Sequence, residues 1–102
     1  MRYGLKEGVL KKIRKVFETF PAVEEAVLYG SRANGTQRPG SDIDLTLKGH
    51  GLNLELMNEI GLQLDDLLLP YTFDLSIYHQ INDPDLIAHI LRVGVLFYSK
   101  NK

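Results

Sequence analysis

Residues Asp42-Ile43-Asp44-Leu45-Thr46-Leu47 alternate polar and apolar without a break. Side chains two apart on a strand share a face, so the run predicts a strand with Ile43 and Leu45 in the core. The same geometry sets the Asp42 and Asp44 carboxylates side by side on the open face. Two like charges this close repel unless a cation stands between them. Magnesium suits such a pair, because it prefers oxygen ligands and usually takes one or two protein carboxylates. Water and substrate phosphates then complete its shell. Taken alone, the pattern equally describes two acids on an exposed sheet surface.

The segments around this strand predict an α/β (α+β) chain. Leu5, Val9, Ile13, Val16, Phe17 and Phe20 recur at three- and four-residue steps, an amphipathic helix that Pro21 ends. Ala26-Val27-Leu28-Tyr29 is a short apolar run bounded by Gly30, which reads as a buried strand. Ser31 to Ser41 carries Gly35, Pro39 and Gly40 and reads as a loop with a helical turn at its start. A second helix is expected from Asn53 to Leu68, striped by Leu56, Met57, Ile60, Leu64, Leu67 and Leu68 and stopped by Pro70. Phe73 to Tyr78 alternates again as a third strand. Asn82 or Asp83 caps a last helix, with Pro84 in its first turn and Gly94 just past its end. Val95 to Tyr98 closes the order as a strand, giving a mixed sheet of about four strands.

With 102 residues and no repeat or linker, the chain is expected to form one domain. It has no cysteine, so disulfides and thiolate metal sites are excluded. The longest apolar run, Leu67-Leu68-Leu69, is far short of the ~20 residues of a membrane helix. No signal-peptide core follows Met1 either, and a soluble, cytoplasmic protein is expected. The net charge of -1 is unevenly spread. Arg2, Lys6, Lys11, Lys12, Arg14 and Lys15 crowd the start, while Gly49 to Leu91 contains no Lys or Arg. No aromatic residues interleave with the basic cluster, so it reads as a solvated helix face and not as a nucleic-acid surface.

Two further features bear on the acidic pair. The first strand ends in Gly30-Ser31, and ten residues separate Ser31 from Asp42. A glycine directly after a buried strand lets backbone approach a phosphate closely, and the Ser31 hydroxyl adds a donor. Arg32 and Arg38 follow; each can neutralise phosphate or simply face solvent. The other feature is Asp74, which alternates with Phe73 and Leu75 on the third strand. It faces the aspartate pair if the two strands are neighbours, where a third carboxylate serves a second metal or accepts a proton. His50, His79 and His89 lack metal-ligand spacing and read as surface or capping residues. Tyr29, Tyr71, Tyr78 and Tyr98 read as packing at strand ends.

Leu28-Tyr29-Gly30-Ser31-Arg32-Ala33, then Ser41-Asp42-Ile43-Asp44-Leu45 and a later Asp74, resembles the signature of the DNA polymerase β-like nucleotidyltransferase superfamily. The likeness extends to the element order over almost the whole chain. It implies a nucleotidyltransferase palm, with helices packed mainly on one face of the sheet. It implies Gly30 and Ser31 as phosphate contacts, with Arg32 and Ser41 beside the nucleotide. It makes Asp42, Asp44 and Asp74 the catalytic and metal-binding acids, with Mg2+ as cofactor, two ions during catalysis, and ATP as donor.

No acceptor-binding helical domain is expected before Lys102, so the chain looks like the minimal nucleotidyltransferase branch. That branch is similar to the antitoxins that pair with all-helical HEPN-type proteins encoded next door. The function implied is transfer of AMP onto a hydroxyl of such a partner. Transfer to a small molecule such as an aminoglycoside, and a non-catalytic antitoxin that only covers its partner, stand as alternatives.

Overall fold

The computed structural model describes residues 1–101. In chain order they form α1 (Glu7–Glu18), β1 (Glu25–Tyr29), α2 (Gly30–Asn34), β2 (Ile43–Lys48), α3 (Leu54–Asp65), β3 (Phe73–Ile77), a 3-10 turn (Tyr78–Gln80), α4 (Pro84–Val93) and β4 (Val95–Ser99). The expected alternation of helices and strands is present, and most differences fall at element ends.

Each end has a local cause. α1 stops at Glu18, before Pro21, because the Thr19 hydroxyl donates to the Val16 carbonyl at 2.7 Å and Phe20 turns into the core. At α3, the Asn53 side chain accepts the Leu56 N–H at 2.8 Å. That helix ends three residues before Leu68, which adopts a left-handed φ of +56° and is 88% exposed. Its apolar stripe therefore closes at Leu64. Asp83 is the cap of α4, accepting the N–H groups of Asp85 and Leu86, with Pro84 in the first turn and Gly94 after the last.

The sheet order is β3-β2-β1-β4, with β1 antiparallel to both of its neighbours and β2 parallel to β3. Residues paired across strands share a face, and this divides the sheet cleanly. Ala26, Leu28, Ile43, Leu45 and Leu47 form an apolar face, each of them fully buried. α1 and α3 cover it with Leu10, Ile13, Phe17, Ile60 and Leu64. On the opposite face Tyr29, Asp44 and Asp74 make one row, and Val27, Thr46 and Ser76 the next. α4 packs there, setting Ile90 on Val27 and Tyr29, with Tyr78 and Ile81 of the segment before it against the same cluster. The two long helices thus share one face, as expected, and on the other face Asp74 is exposed and Asp44 half-buried, while Thr46 is buried.

The apolar face carries the stability. Leu45→Ala should cost about 2–5 kcal/mol, the range for emptying a sealed core position. Leu62→Ala, at a side chain 65% exposed on α3, should stay within about 0.5 kcal/mol. Urea denaturation of the two variants beside wild type measures the contrast.

Candidate active site

Gly30 sits where β1 turns into α2, at φ +73°. A side chain there is doubly opposed. The left-handed backbone disfavours any residue with a Cβ, and a Cβ would run into the Asp44 carboxylate. The glycine turn and the aspartate strand, separated in sequence, therefore meet in direct contact. The antiparallel pairing of β1 with β2 produces this, since it sets Asp44 opposite Tyr29, the residue before Gly30. Parallel pairing of β2 with β3 then puts Asp74 opposite Asp44.

Asp42 needs a correction. It lies just outside β2, on the last residue of the preceding loop, and is exposed. Strand alternation was expected to align it with Asp44, but regular pairing begins only at Ile43. Its charge still reaches the site. Burial, then repulsion from Asp74 and then from Asp42, holds the Asp44 carboxyl above the usual carboxylate range, while His89 opposes the shift. Tyr29 is likewise pushed up by burial first, with Asp74 and Asp44 adding.

Among the described residues no Lys or Arg forms an ion pair with these acids. Among the described residues one ion pair forms, Arg2 to Glu7 at 3.7 Å, and it is exposed at the far N-terminal segment. Nor do three His, Cys, Asp or Glu side chains gather into a closed metal cage among the described residues. Magnesium is a hard cation that binds through one or two carboxylates and borrows substrate phosphates. Asp44, crowded and only half-buried, has the donor chemistry for that role.

Arg32 was expected beside the nucleotide, and its guanidinium points elsewhere. It is 3% exposed. Its Nε and Nη2 donate to the Ser41 carbonyl at 3.2 and 2.8 Å, and Nη1 donates to the Tyr3 carbonyl at 2.9 Å. The Tyr71 ring centroid lies 4.9 Å from the guanidinium carbon. Arg32 is a clasp that binds the loop before Asp42 to the N-terminal segment. Ser41 is part of that clasp, and its hydroxyl accepts the Arg38 N–H at 2.8 Å. Both residues act on the loop that delivers Asp42. Arg38 itself is exposed, and Ser31 is half-buried in the first turn of α2.

His89 is the residue that sequence reasoning missed. Its Nε2 accepts the Gly30 N–H at 3.2 Å, and its ring stands edge-on to Tyr29 at 6.1 Å and 81°. In the sequence it is one polar position beside the Leu86, Ile90, Val93 stripe. Only the folding of α4 across β1 reveals its place. His50 and His79 are exposed, as expected.

A family model described as Polymerase beta, Nucleotidyltransferase matches residues 11–102. The fold is similar to that of a toxin–antitoxin crystal structure with AMP-PNP, at TM-score 0.71 and 23% identity, covering 93% of this chain and 74% of that one. It is also similar to a MntA–HepT toxin–antitoxin structure, at TM-score 0.69 and 18% identity, covering 94% and 74%. A third likeness is to a tri-AMPylated Shewanella oneidensis HEPN toxin in complex with MNT antitoxin, at TM-score 0.69 and 18% identity, covering 95% and 75%. At these identities the likeness speaks for the fold. No curated protein matches the sequence significantly.

The electrostatics predict an inverted pH response. An acid whose folded pKa is raised binds its proton more tightly in the native state than in the unfolded one, so ionising it weakens the fold. The stability that protonated Asp44 lends is full below the ordinary aspartate pKa of about 3.9 and is lost as pH rises through the folded value. Asp44→Asn should therefore melt above the metal-free wild type at pH 7. The gap should close as pH falls into the carboxylate range, which thermal denaturation across pH would follow.

Proposed function

The chain belongs to the polymerase beta nucleotidyltransferase family, and from that premise we propose that it transfers AMP from ATP to a hydroxyl group of a helical, HEPN-type partner protein. The observation that carries this reading is the contact between Gly30 and Asp44. It brings a turn able to admit a phosphate against a carboxylate held short of counter-charge.

In this reading Gly30 and Ser31 lie along the phosphates of the donor, with the missing side chain of Gly30 allowing close approach. Asp42 and Asp44 hold magnesium, which supplies positive charge to the triphosphate and its leaving pyrophosphate. Asp74, one strand over and exposed, accepts the proton of the attacking hydroxyl or holds a second ion. The oxygen of that hydroxyl forms a bond to the α-phosphorus as the bond to pyrophosphate breaks. Arg32 and Ser41 contribute indirectly, by fixing the loop that ends at Asp42.

What the sheet leaves open supports a macromolecular acceptor. Among the described residues α4 walls the row Tyr29, Asp44, Asp74 on the β1 side, and the exposed Asp74 at its other end leaves room for a docked macromolecule to bring its own hydroxyl into line. The AMP-PNP in one similar structure and the AMPylated HEPN toxin in another support this choice of donor and acceptor. The family match supports the transfer itself. We further infer an antitoxin role, in which modification silences the partner.

Two measurements test the proposal. Mg-ATP at a hundredfold excess over its dissociation constant should stabilise the protein by about 2.7 kcal/mol, seen as a raised Tm that chelator removes. When co-purified with a helical partner and given Mg-ATP, the protein should add a nucleoside monophosphate to it, read by intact mass. Asp42→Asn and Asp74→Asn should each abolish that gain. A partner inhibited equally by wild type and both variants, with no added mass, would point to steric neutralisation. Modification of aminoglycosides with no protein acceptor would remove the antitoxin role and leave the transferase.

A further inference from the structure

We propose that His89 is a positioning residue for the nucleotide site, holding the Gly30-Ser31 turn through the Gly30 N–H. The inference rests on the nucleotidyltransfer reading and adds to it a residue 59 positions from the turn it controls.

The turn needs an outside hold. Helix α2 has only five residues, and its cap residue Tyr29 makes no side-chain capping bond. The N–H groups of a first turn have no partner within their own helix. Gly30 is also the residue with most conformational freedom to lose, because nothing on its own Cα restricts it. Two contacts from other elements supply the restriction. The Asp44 carboxylate occupies the space a side chain would fill, and His89 Nε2 takes the N–H at 3.2 Å.

His89 is itself firmly placed. Its neighbour Ile90 is 4% exposed and packs with Val27 and Tyr29, while Leu86 and Val93 pad the same cluster. Gly94 ends α4 so close to β1 that a Cβ there would strike the Ile90 carbonyl and crowd Val27 at 2.9 Å. The imidazole then stands edge-on to Tyr29, which leaves its Nε2 aimed at the next residue of the chain, Gly30. α4 thus acts as a rigid arm from β1 to the turn. Losing His89 frees the turn while leaving the side chains of Asp42, Asp44 and Asp74 unaltered.

The test compares wild type with His89→Ala, which loses the acceptor, and His89→Gln, whose amide oxygen restores one. Amide exchange at Gly30, read by NMR on the metal-free protein, should speed up in the alanine variant and slow again in the glutamine variant. Equal exchange in all three overturns the bond. Calorimetric titration with Mg-AMP-PNP should then show binding weakened roughly fivefold to tenfold in His89→Ala, about one net hydrogen bond, with most of it recovered in His89→Gln. Unchanged affinity in a folded His89→Ala makes the residue merely structural, and tighter affinity makes it a plug; either result overturns the positioning role. Wild type that binds no Mg-AMP-PNP sinks the nucleotide reading instead, and the exchange data alone then report a structural tie.

Discussion

The contact between the Gly30 backbone and the Asp44 carboxylate is the constraint on which the rest of the arrangement depends. It requires a residue without a side chain, in a left-handed conformation, directly at a strand end. It also requires β2 to run antiparallel to β1 in a register that puts Asp44 opposite Tyr29. A slip of one residue would turn Asp44 into the core and Leu45 out to the open face. That register is enforced from the opposite side of the sheet, where Ile43, Leu45 and Leu47 are fully buried under α1 and α3. The hydrophobic face therefore fixes the geometry of the acidic one.

This division explains how the fold tolerates crowded acids. Burial and the neighbouring carboxylates disfavour the charge on Asp44, and two hydroxyls in the next row, Thr46 Oγ1 and Ser76 Oγ, are buried with no hydrogen-bond partner among the described residues. Unpaired polar groups of this kind cost stability. They lie together, on the strands that carry Asp44 and Asp74, and away from the face that holds the sheet together. Local rules of stability are thus broken where the site is built.

Much of this was legible in the sequence because it is periodic. Alternation from Asp42 to Leu47 and from Phe73 to Tyr78 identified two strands and the faces of their acids. Gly30 after an apolar run marked the turn. What stayed hidden has geometric causes. Asp42 continues the alternation by one letter, yet β2 starts only at Ile43, because no letter marks where pairing begins. Arg32 follows Gly30-Ser31 directly, so adjacency placed it beside the phosphates. Two residues along a helix, however, turn a side chain through about 200°, and α2 carries the Arg32 guanidinium to the Tyr3 and Ser41 carbonyls on its other side. His89 gave no signal, since its importance arises from α4 crossing β1, a matter of topology. The place of β4 beside β1 at the sheet edge is of the same kind.

The fate of Arg32 bears on how the site manages charge. A triphosphate brings several negative charges to a row that already holds Asp44 and Asp74. The arginine of the Gly30-Ser31-Arg32 run is committed to backbone carbonyls, and no Lys or Arg occurs from Gly49 to Leu91, the stretch that supplies α3, β3 and most of α4. Side chains of this protein are thus poorly placed to neutralise a free nucleotide, which the acids would repel. A nucleotide that arrives with its divalent cation meets the opposite situation, for the cation satisfies carboxylates and phosphates at once. Under the proposed function, the same feature that weakens the empty fold, carboxylates without counter-charge, selects the metal-bound form of the donor over the bare one.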